Sequence, residues 1–435
     1  MNKKEIAIIG GGTVSYLRNH LALSAPAYGK TACQLAEICE TEFNESMNIK
    51  IYMTRMGHIP NYLEQYDSCE KLETNEDISN LIDRLTKDDL TKIVFFNASM
   101  VDFNGQIPPL LSGKEESRLN SQEKHCVYLT PAEKIISKVR KVRKDIFLVG
   151  FKQTHGLTED EQYIAGLHLC KASSCNLVLA NDTKTKLNMV ITPEEARYHV
   201  TKNRIEALSG LVKMAKLRSH LTFTRSTVVA GVPVSWNSEL VPNALREVVN
   251  FCIKEGAYKP FRGSTVGHFA CKLNDNEFLT SIRRSNFNDI EKNGLVRVKT
   301  DGPDTVIAYG AKPSVGGQSQ RIIFKDHSDY DIVVHFHCPK FLNSEVPSVS
   351  QYGIECGSMA CGNQTSNGLK KFGNLSAVYL EEHGPNIVFN SKIDPNEVIT
   401  FIKNNFDLSK KTGGFVSIVS KLETKNTLEI AKEIL

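Results

Sequence analysis

Through the first half of this chain, short apolar runs alternate with longer stretches of helical spacing, and that alternation constrains the fold most. Residues 6–9 (Ile-Ala-Ile-Ile) make an apolar run too short for a helix, ending in Gly10-Gly11-Gly12, as a buried first strand does. Residues 28–42 read as a helix opening on Gly29-Lys30-Thr31, residues 49–54 as a strand and residues 75–87 as an amphipathic helix. Further strands are expected at residues 92–97, 146–151 and 176–180, each followed by polar turn residues. Strands alternating with helices at this spacing imply a mostly parallel sheet in a doubly wound α/β domain. A long helical stretch, residues 193–221, is expected to pack on that sheet and close the domain.

At 435 residues the chain is too long for one core and suits two domains. We expect a first domain over residues 1–222, a linker over 223–240 with Gly231 and the only tryptophan, Trp236, and a second domain over 241–435. The second domain opens with a helix at residues 244–255. Strand-like pieces follow at 267–272, 295–299, 321–324 and 332–336, then a glycine- and serine-rich stretch at 357–373, a strand at 377–380 and a closing helix. Antiparallel strands with peripheral helices fit this order. Residues 105–124 are polar and charged and read as a mobile loop or flap.

The chain is 41% hydrophobic and 23% charged, with a net charge of +4. That small excess gives no reason to expect a nucleic-acid or membrane partner, and no apolar run approaches the roughly 18 residues of a membrane span. Eleven cysteines, an odd number, follow a start that is not a signal peptide, so the expected setting is the cytoplasm with reduced thiols. Cys170/Cys175 and Cys356/Cys361 are each spaced by five, wrong for a CxxC metal knuckle.

Histidines carry the sharpest chemical signal. His335 and His337 end a β-branched run beginning at Asp331, and residues i and i+2 of a strand share a face. His383 ends another apolar strand. Three neutral imidazoles would leave a fourth position open on a divalent metal, the arrangement of a catalytic rather than structural zinc. On spacing alone, surface or hydrogen-bonded histidines are the plainer reading.

From about residue 243 to 387 the chain resembles the class II aldolase/adducin family. The resemblance rests on residues 329–339, which lead into His-x-His, on residues 377–389, with the third histidine followed by Gly384, and on Glu355-Cys-Gly-Ser-Met-Ala-Cys-Gly between them. It implies an α/β/α domain with a mainly antiparallel sheet, and Zn2+ or another divalent ion on His335, His337 and His383 acting as a Lewis acid on a carbonyl or enolate oxygen. The family places a catalytic glutamate nineteen residues before the first ligand, which here is Gly316. Its Gly-Asn phosphate turn reads Gly267-His268. Its second phosphate loop reads Ser281-Ile-Arg283-Arg284, an arginine pair able to hold an anion with Ser314 nearby. Glu355 and Glu382 are the substitutes for the missing carboxylate, with Gln318 and Gln320 close in sequence.

Gly10-Gly11-Gly12-Thr13 follows a buried strand, where backbone N–H groups can meet a phosphate or carboxylate; it is neither a Walker A loop nor GxGxxG. A tight turn without a ligand is the plain alternative. Residues from about 4 to 221 resemble phosphopantothenate–cysteine ligase in four blocks: the glycine loop with Ala27-Tyr-Gly29-Lys30-Thr-Ala32, residues 95–103 ending in Asp102-Phe103, Leu148-Val-Gly-Phe151, and Leu179-Ala-Asn181-Asp182. The resemblance implies a Rossmann-like domain that binds CTP or ATP with Mg2+ and activates a carboxylate. The family's asparagine for that chemistry corresponds to Ala25, and Lys114 or Arg118 stand in for its flap lysine.

Together these readings give a bifunctional or two-domain enzyme acting on a phosphorylated or nucleotide-linked small molecule, with a homo-oligomer expected by resemblance. The alternatives are an enzyme in the metal domain alone, with the first domain recognising the nucleotide part of its substrate, and a non-catalytic adducin-like scaffold.

Overall fold

The computed structural model describes residues 3–261 and 263–412, the side chains of 317–319 excepted. It divides into two compact units, Met1–Pro193 with Tyr198–Ser219 and Glu194–Arg197 with His220–Leu435.

In the first unit β1 (Glu5–Gly10) is followed by a hairpin of β2 (Val14–Arg18) and β3 (Leu21–Ser24), then α1 (Lys30–Phe43), β4 (Asn48–Met53), α2 (Asn75–Lys87) and β5 (Thr91–Phe96). A second hairpin, β6 (Phe103–Gln106) with β7 (Tyr128–Pro131), brackets the polar stretch read as a flap. It leads to α3 (Lys138–Val142), β8 (Phe147–Thr154), α4 (Glu159–Ser173), β9 (Leu177–Asp182), β10 (Asn188–Ile191), β11 (Arg197–Thr201) and α5 (Arg204–Arg218). The seven-stranded sheet runs β11-β10-β9-β8-β5-β1-β4. Its β1, β4, β5, β8 and β9 pair in parallel, and β10 returns antiparallel.

Strand β1 lies inside this sheet, and its six residues are all buried. Covering both faces removes Ile6, Ile8 and Ile9 wholly from water, worth about 1.5–3 kcal/mol each. Helix α2 shows why its boundaries were legible. Thr74 and Asp77 form a reciprocal capping box, and Ile78, Leu81, Ile82 and Leu85 make its buried stripe.

The glycine turn runs into the β2/β3 hairpin, and α1 opens at Lys30 with Gly29 as its cap, in line with the helix read over residues 28–42. One expectation is corrected here. The long helix expected over 193–221 is a turn, then β11, then α5. Asn203 starts α5 late by accepting from the N–H groups of Ile205 and Glu206.

The second unit contains β12 (Arg225–Val229), α6 (Asn243–Lys254), β13 (Pro260–Phe261), β14 (Ser264–Thr265), β15 (His268–Asn274), β16 (Glu277–Ser281), α7 (Ile290–Asn293), β17 (Leu295–Thr300) and β18 (Thr305–Tyr309). Then come α8 (Gly317–Asp326), β19 (Ile332–His335), β20 (Ser348–Val349), α9 (Met359–Gly368), β21 (Lys370–Phe372), β22 (Leu375–Leu380), β23 (Gly384–Phe389) and α10 (Pro395–Asn405). Ten strands form one sheet, β12-β18-β17-β16-β15-β19-β23-β22-β20 with β21 beside β22. Its ladders are antiparallel except β12 with β18 and β20 with β22. Helix α10 is the last described element; residues 413–435 and any closing helix there lie outside the described residues.

Residues 321–324, expected as a strand, belong to α8. Gln320, Ile322, Ile323 and Phe324 are buried there, and a three-residue apolar run is too short to separate a buried helix turn from a strand. The stretch read as a linker contributes β12 to the sheet edge, and Trp236 is buried against Phe269.

Candidate metal centre and nucleotide site

Strand β19 lies between β15 and β23. Its period of two sends Ile332, Val334, Phe336 and Cys338 into the main core of the unit, which leaves Val333, His335 and His337 on the opposite face. His383 sits in the tight turn between β22 and β23, its N–H donating to the Leu380 carbonyl at 3.0 Å. The residue after it must be glycine. Gly384 has φ 147°, and a Cβ there would lie 2.1 Å from the Phe336 carbonyl oxygen. This close approach lays the His383 turn against the segment joining His335 to His337.

The three histidines are buried, and their candidate ligand atoms all lie within 4.8 Å of one another. The Nε2 atoms of His335 and His383 are 3.3 Å apart. Two nitrogens bound tetrahedrally at about 2.05 Å would be separated by about 3.3 Å, so this pair fits zinc. His335 Nδ1 lies 2.7 Å from the Pro385 carbonyl; as the donor it leaves the lone pair on Nε2. Burial pushes His335 down to about 4, so the ring is neutral at pH 7, as a ligand must be.

The chain after α10 closes over the triad. The Thr412 N–H donates to the His337 carbonyl at 3.1 Å, and its hydroxyl donates to the His383 carbonyl. Lys411 places Nζ 2.6 Å from Oε2 of Glu195, which is itself 3.9 Å from His337 Nδ1. Sequence reasoning missed Lys411, Thr412 and Glu195. Residue 195 fell inside the supposed helix, and no local pattern marks any of the three.

His268 is paired with His335 across β15 and β19, and their rings stack with centroids 4.6 Å apart. Gln320 Nε2 donates to its Nδ1 at 2.7 Å, which leaves the proton of the neutral ring on Nε2. Burial, then the neighbouring His335, hold its pKa well below the ordinary range. The side chain of Gln318 lies outside the described residues.

The structure also brings the expected anion-binding residues side by side. Ser314 N–H donates to the Ser281 carbonyl at 3.0 Å and Arg283 N–H to the Lys312 carbonyl at 2.9 Å. Arg283 and Arg284 are exposed, Arg284 with φ 61°. Gly267 precedes His268 at the start of β15. Glu355 and Glu382 are half-buried, and Glu382 directly precedes His383 with φ 59°.

In the first unit Gly10, Gly11 and Gly12 are all buried. Thr54 Oγ1 donates to the Gly12 carbonyl at 2.7 Å. Thr13 Oγ1 donates to Asn75 Oδ1 at 2.6 Å and accepts from the Val101 N–H. Gly29 caps α1 in the left-handed conformation with no side-chain cap bond, and Lys30 beside it is exposed. Arg204, which sequence reasoning also missed, donates from Nη2 to Thr31 Oγ1 at 3.3 Å. Burial lowers this guanidinium to about 10, so it remains a cation beside the first turn of α1.

Three other expected residues are engaged by the protein itself. Asp182 accepts from the N–H groups of Gly156, Leu157, Lys184 and Thr185 and from the Thr154 hydroxyl. Asp102 pairs with Lys134. Lys114 pairs with Glu73 at 2.5 Å and lies over the Tyr16 ring. Asn181 is half-buried and Arg118 exposed.

No family model matches the chain. Its first half is similar to the coenzyme A biosynthesis bifunctional protein CoaBC of Methanocaldococcus jannaschii, 27% identical over 215 residues, covering 48% of this chain and 49% of that protein. The chain spans about half the length of the curated relatives it matches. Among solved structures, a DNA/pantothenate metabolism flavoprotein from Streptococcus pneumoniae is 16% identical with a TM-score of 0.39, covering 50% of this chain and all of that one. In the second half an L-fuculose 1-phosphate aldolase is 13% identical with a TM-score of 0.28, covering 36% of this chain and 80% of that one. These structural likenesses concern the fold.

Proposed function

We propose that this chain is a two-part metabolic enzyme: a nucleotide-binding, ligase-like first unit and a zinc-dependent, lyase-like second unit acting on a phosphorylated small molecule. The 3.3 Å separation of His335 Nε2 and His383 Nε2, with His337 alongside, is the observation that carries the reading. Zinc held there supplies a Lewis acid for a carbonyl oxygen of the substrate. The protein's own part is to hold three neutral imidazoles in a buried site, fixed through Pro385 and Thr412. His268 Nε2–H is the proton-bearing group nearest the position of the absent glutamate. Arg283, Arg284 and Ser314 provide charge and a hydroxyl for the substrate phosphate.

In the first unit the unsatisfied N–H groups of the first turn of α1, with Lys30 and Arg204, would take the phosphates of CTP or ATP with Mg2+. The sequence similarity to CoaBC supports this assignment.

Metal analysis of the purified protein tests the central point. We expect about one zinc per chain, lost in the variant His335→Ala/His337→Ala. A native protein free of metal would refute the enzyme reading and leave His335 and His383 as a hydrogen-bonded imidazole pair. For the first unit, incubation with CTP or ATP and a carboxylate should release pyrophosphate. Binding without release would limit that unit to recognising the nucleotide.

A further inference from the structure

Residue 195 combines features that folding does not favour. The Glu195 side chain is wholly buried, its backbone is left-handed with φ 73°, and its carboxylate faces the histidine triad rather than solvent. A buried carboxylate costs several kcal/mol unless it is well paired, and a left-handed non-glycine residue adds roughly 1–2 kcal/mol. Such a residue persists only where its surroundings fix it.

The surroundings do so within the second unit, to which residues Glu194–Arg197 belong. Glu194 Oε1 accepts from the Cys356 N–H at 2.6 Å, fastening the segment to the turn before α9. Lys411 Nζ lies 2.6 Å from Glu195 Oε2, and the next residue, Thr412, bonds to the carbonyls of both His337 and His383. One short stretch of chain thus ties the carboxylate and two of the three histidines together. The same Oε2 lies 3.9 Å from His337 Nδ1, an electrostatic separation longer than a direct hydrogen bond.

We propose that Glu195 is the positioning carboxylate of the metal centre. Its negative charge favours the tautomer of His337 with the proton on Nδ1, which presents the Nε2 lone pair to the ion, and Lys411 holds the carboxylate in place. In a buried site of low effective dielectric such an interaction is stronger than at the surface. Carboxylates behind metal-binding histidines act in this way in general. The inference rests on the zinc reading above and goes beyond it, because it makes metal affinity depend on a residue far in sequence from the ligands.

The test uses the full-length chain and Glu195→Gln, which keeps the shape and removes the charge. Zinc affinity is measured by competition with a chelator, the His337 tautomer by nitrogen-15 imidazole shifts, and thermal unfolding is followed without metal. We expect zinc affinity to fall roughly 10- to 100-fold and the His337 signal to lose its Nδ1–H preference. A purely structural glutamate would lower the unfolding temperature and leave both other readouts unchanged, which would overturn the proposal. If Glu195→Gln does not fold, Glu195→Asp withdraws the charge by one methylene. Weaker zinc binding there supports the proposal, and unchanged binding overturns it. A native protein that binds no zinc defeats the metal reading itself, whereas native binding with equal affinity in Glu195→Gln defeats only this inference.

Discussion

The imidazole of His268 fills the space a side chain on residue 316 would need: a Cβ built on Gly316 would lie 2.1 Å from both Nε2 and Cδ2 of that ring. In the class II aldolase resemblance these are two departures, a glycine for the catalytic glutamate and a histidine for the asparagine of the phosphate turn. In space they are one exchange. The ring enters from β15 because the backbone at 316 leaves room, and stacking on His335 with the Gln320 bond fixes it there.

Gly316→Ala should therefore strain the site. Overpacking of this kind costs about 1–3 kcal/mol, read as a lower midpoint of urea unfolding. Adding His268→Ala should recover much of that loss, with a coupling between the two changes of about 0.5–3 kcal/mol. Strict additivity in the double-mutant cycle would show that the two residues do not share this space.

Gly384→Ala should be more severe. The substitution meets both a φ of 147° and a carbonyl oxygen 2.1 Å away, so we expect a loss of at least about 2 kcal/mol. Because Gly384 sets the turn that carries His383, zinc content should fall along with stability. Full zinc occupancy in a folded Gly384→Ala protein would contradict the placement of this turn.

Asp182 predicts an acid-limb effect in the first unit. Burial acts to raise its pKa, but the hydrogen bonds from Thr185, Gly156, Thr154 and Leu157 outweigh it and hold the carboxyl below its ordinary 3.8. A depressed carboxyl contributes its stability in full above the unfolded value and loses it as pH falls towards the folded one. Asp182→Asn should thus unfold more easily at neutral pH and lose less additional stability below pH 3.8 than the native chain. Unfolding measured across a pH series checks both points. Parallel acid limbs would remove Asp182 from this role.

Thiol reactivity should follow burial. Cys69 and Cys126 are exposed, whereas burial pushes Cys175 and Cys338 up to about 12. Brief alkylation at pH 8 should label the first pair and spare the second until the protein is unfolded. Peptide mass mapping reads the order directly.

Much of the first sheet was legible in the sequence because β1, β5 and β9 are short buried runs bounded by turns, and α2 carries its own cap and stripe. The errors came where local signals were weak. Residues 321–324 offered too few apolar positions to separate strand from helix. Residues 193–221 hid a turn and a strand ahead of the Asn203 cap. Arg204, Lys411 and Thr412 carry no motif, and their roles arise only from what they face.

The histidines divide along the same line. By itself the sequence determined that His335 and His337 project together, because strand geometry repeats every two residues, and that a histidine–glycine pair ends a later strand. Tertiary structure alone decided that His383 meets them, that His268 stacks over Gly316, and that Glu195 lies behind His337. Those contacts join residues 48, 48 and 142 positions apart in the chain, set by strand register and chain path. Local periodicity fixes which way a side chain points, and only packing fixes what it meets.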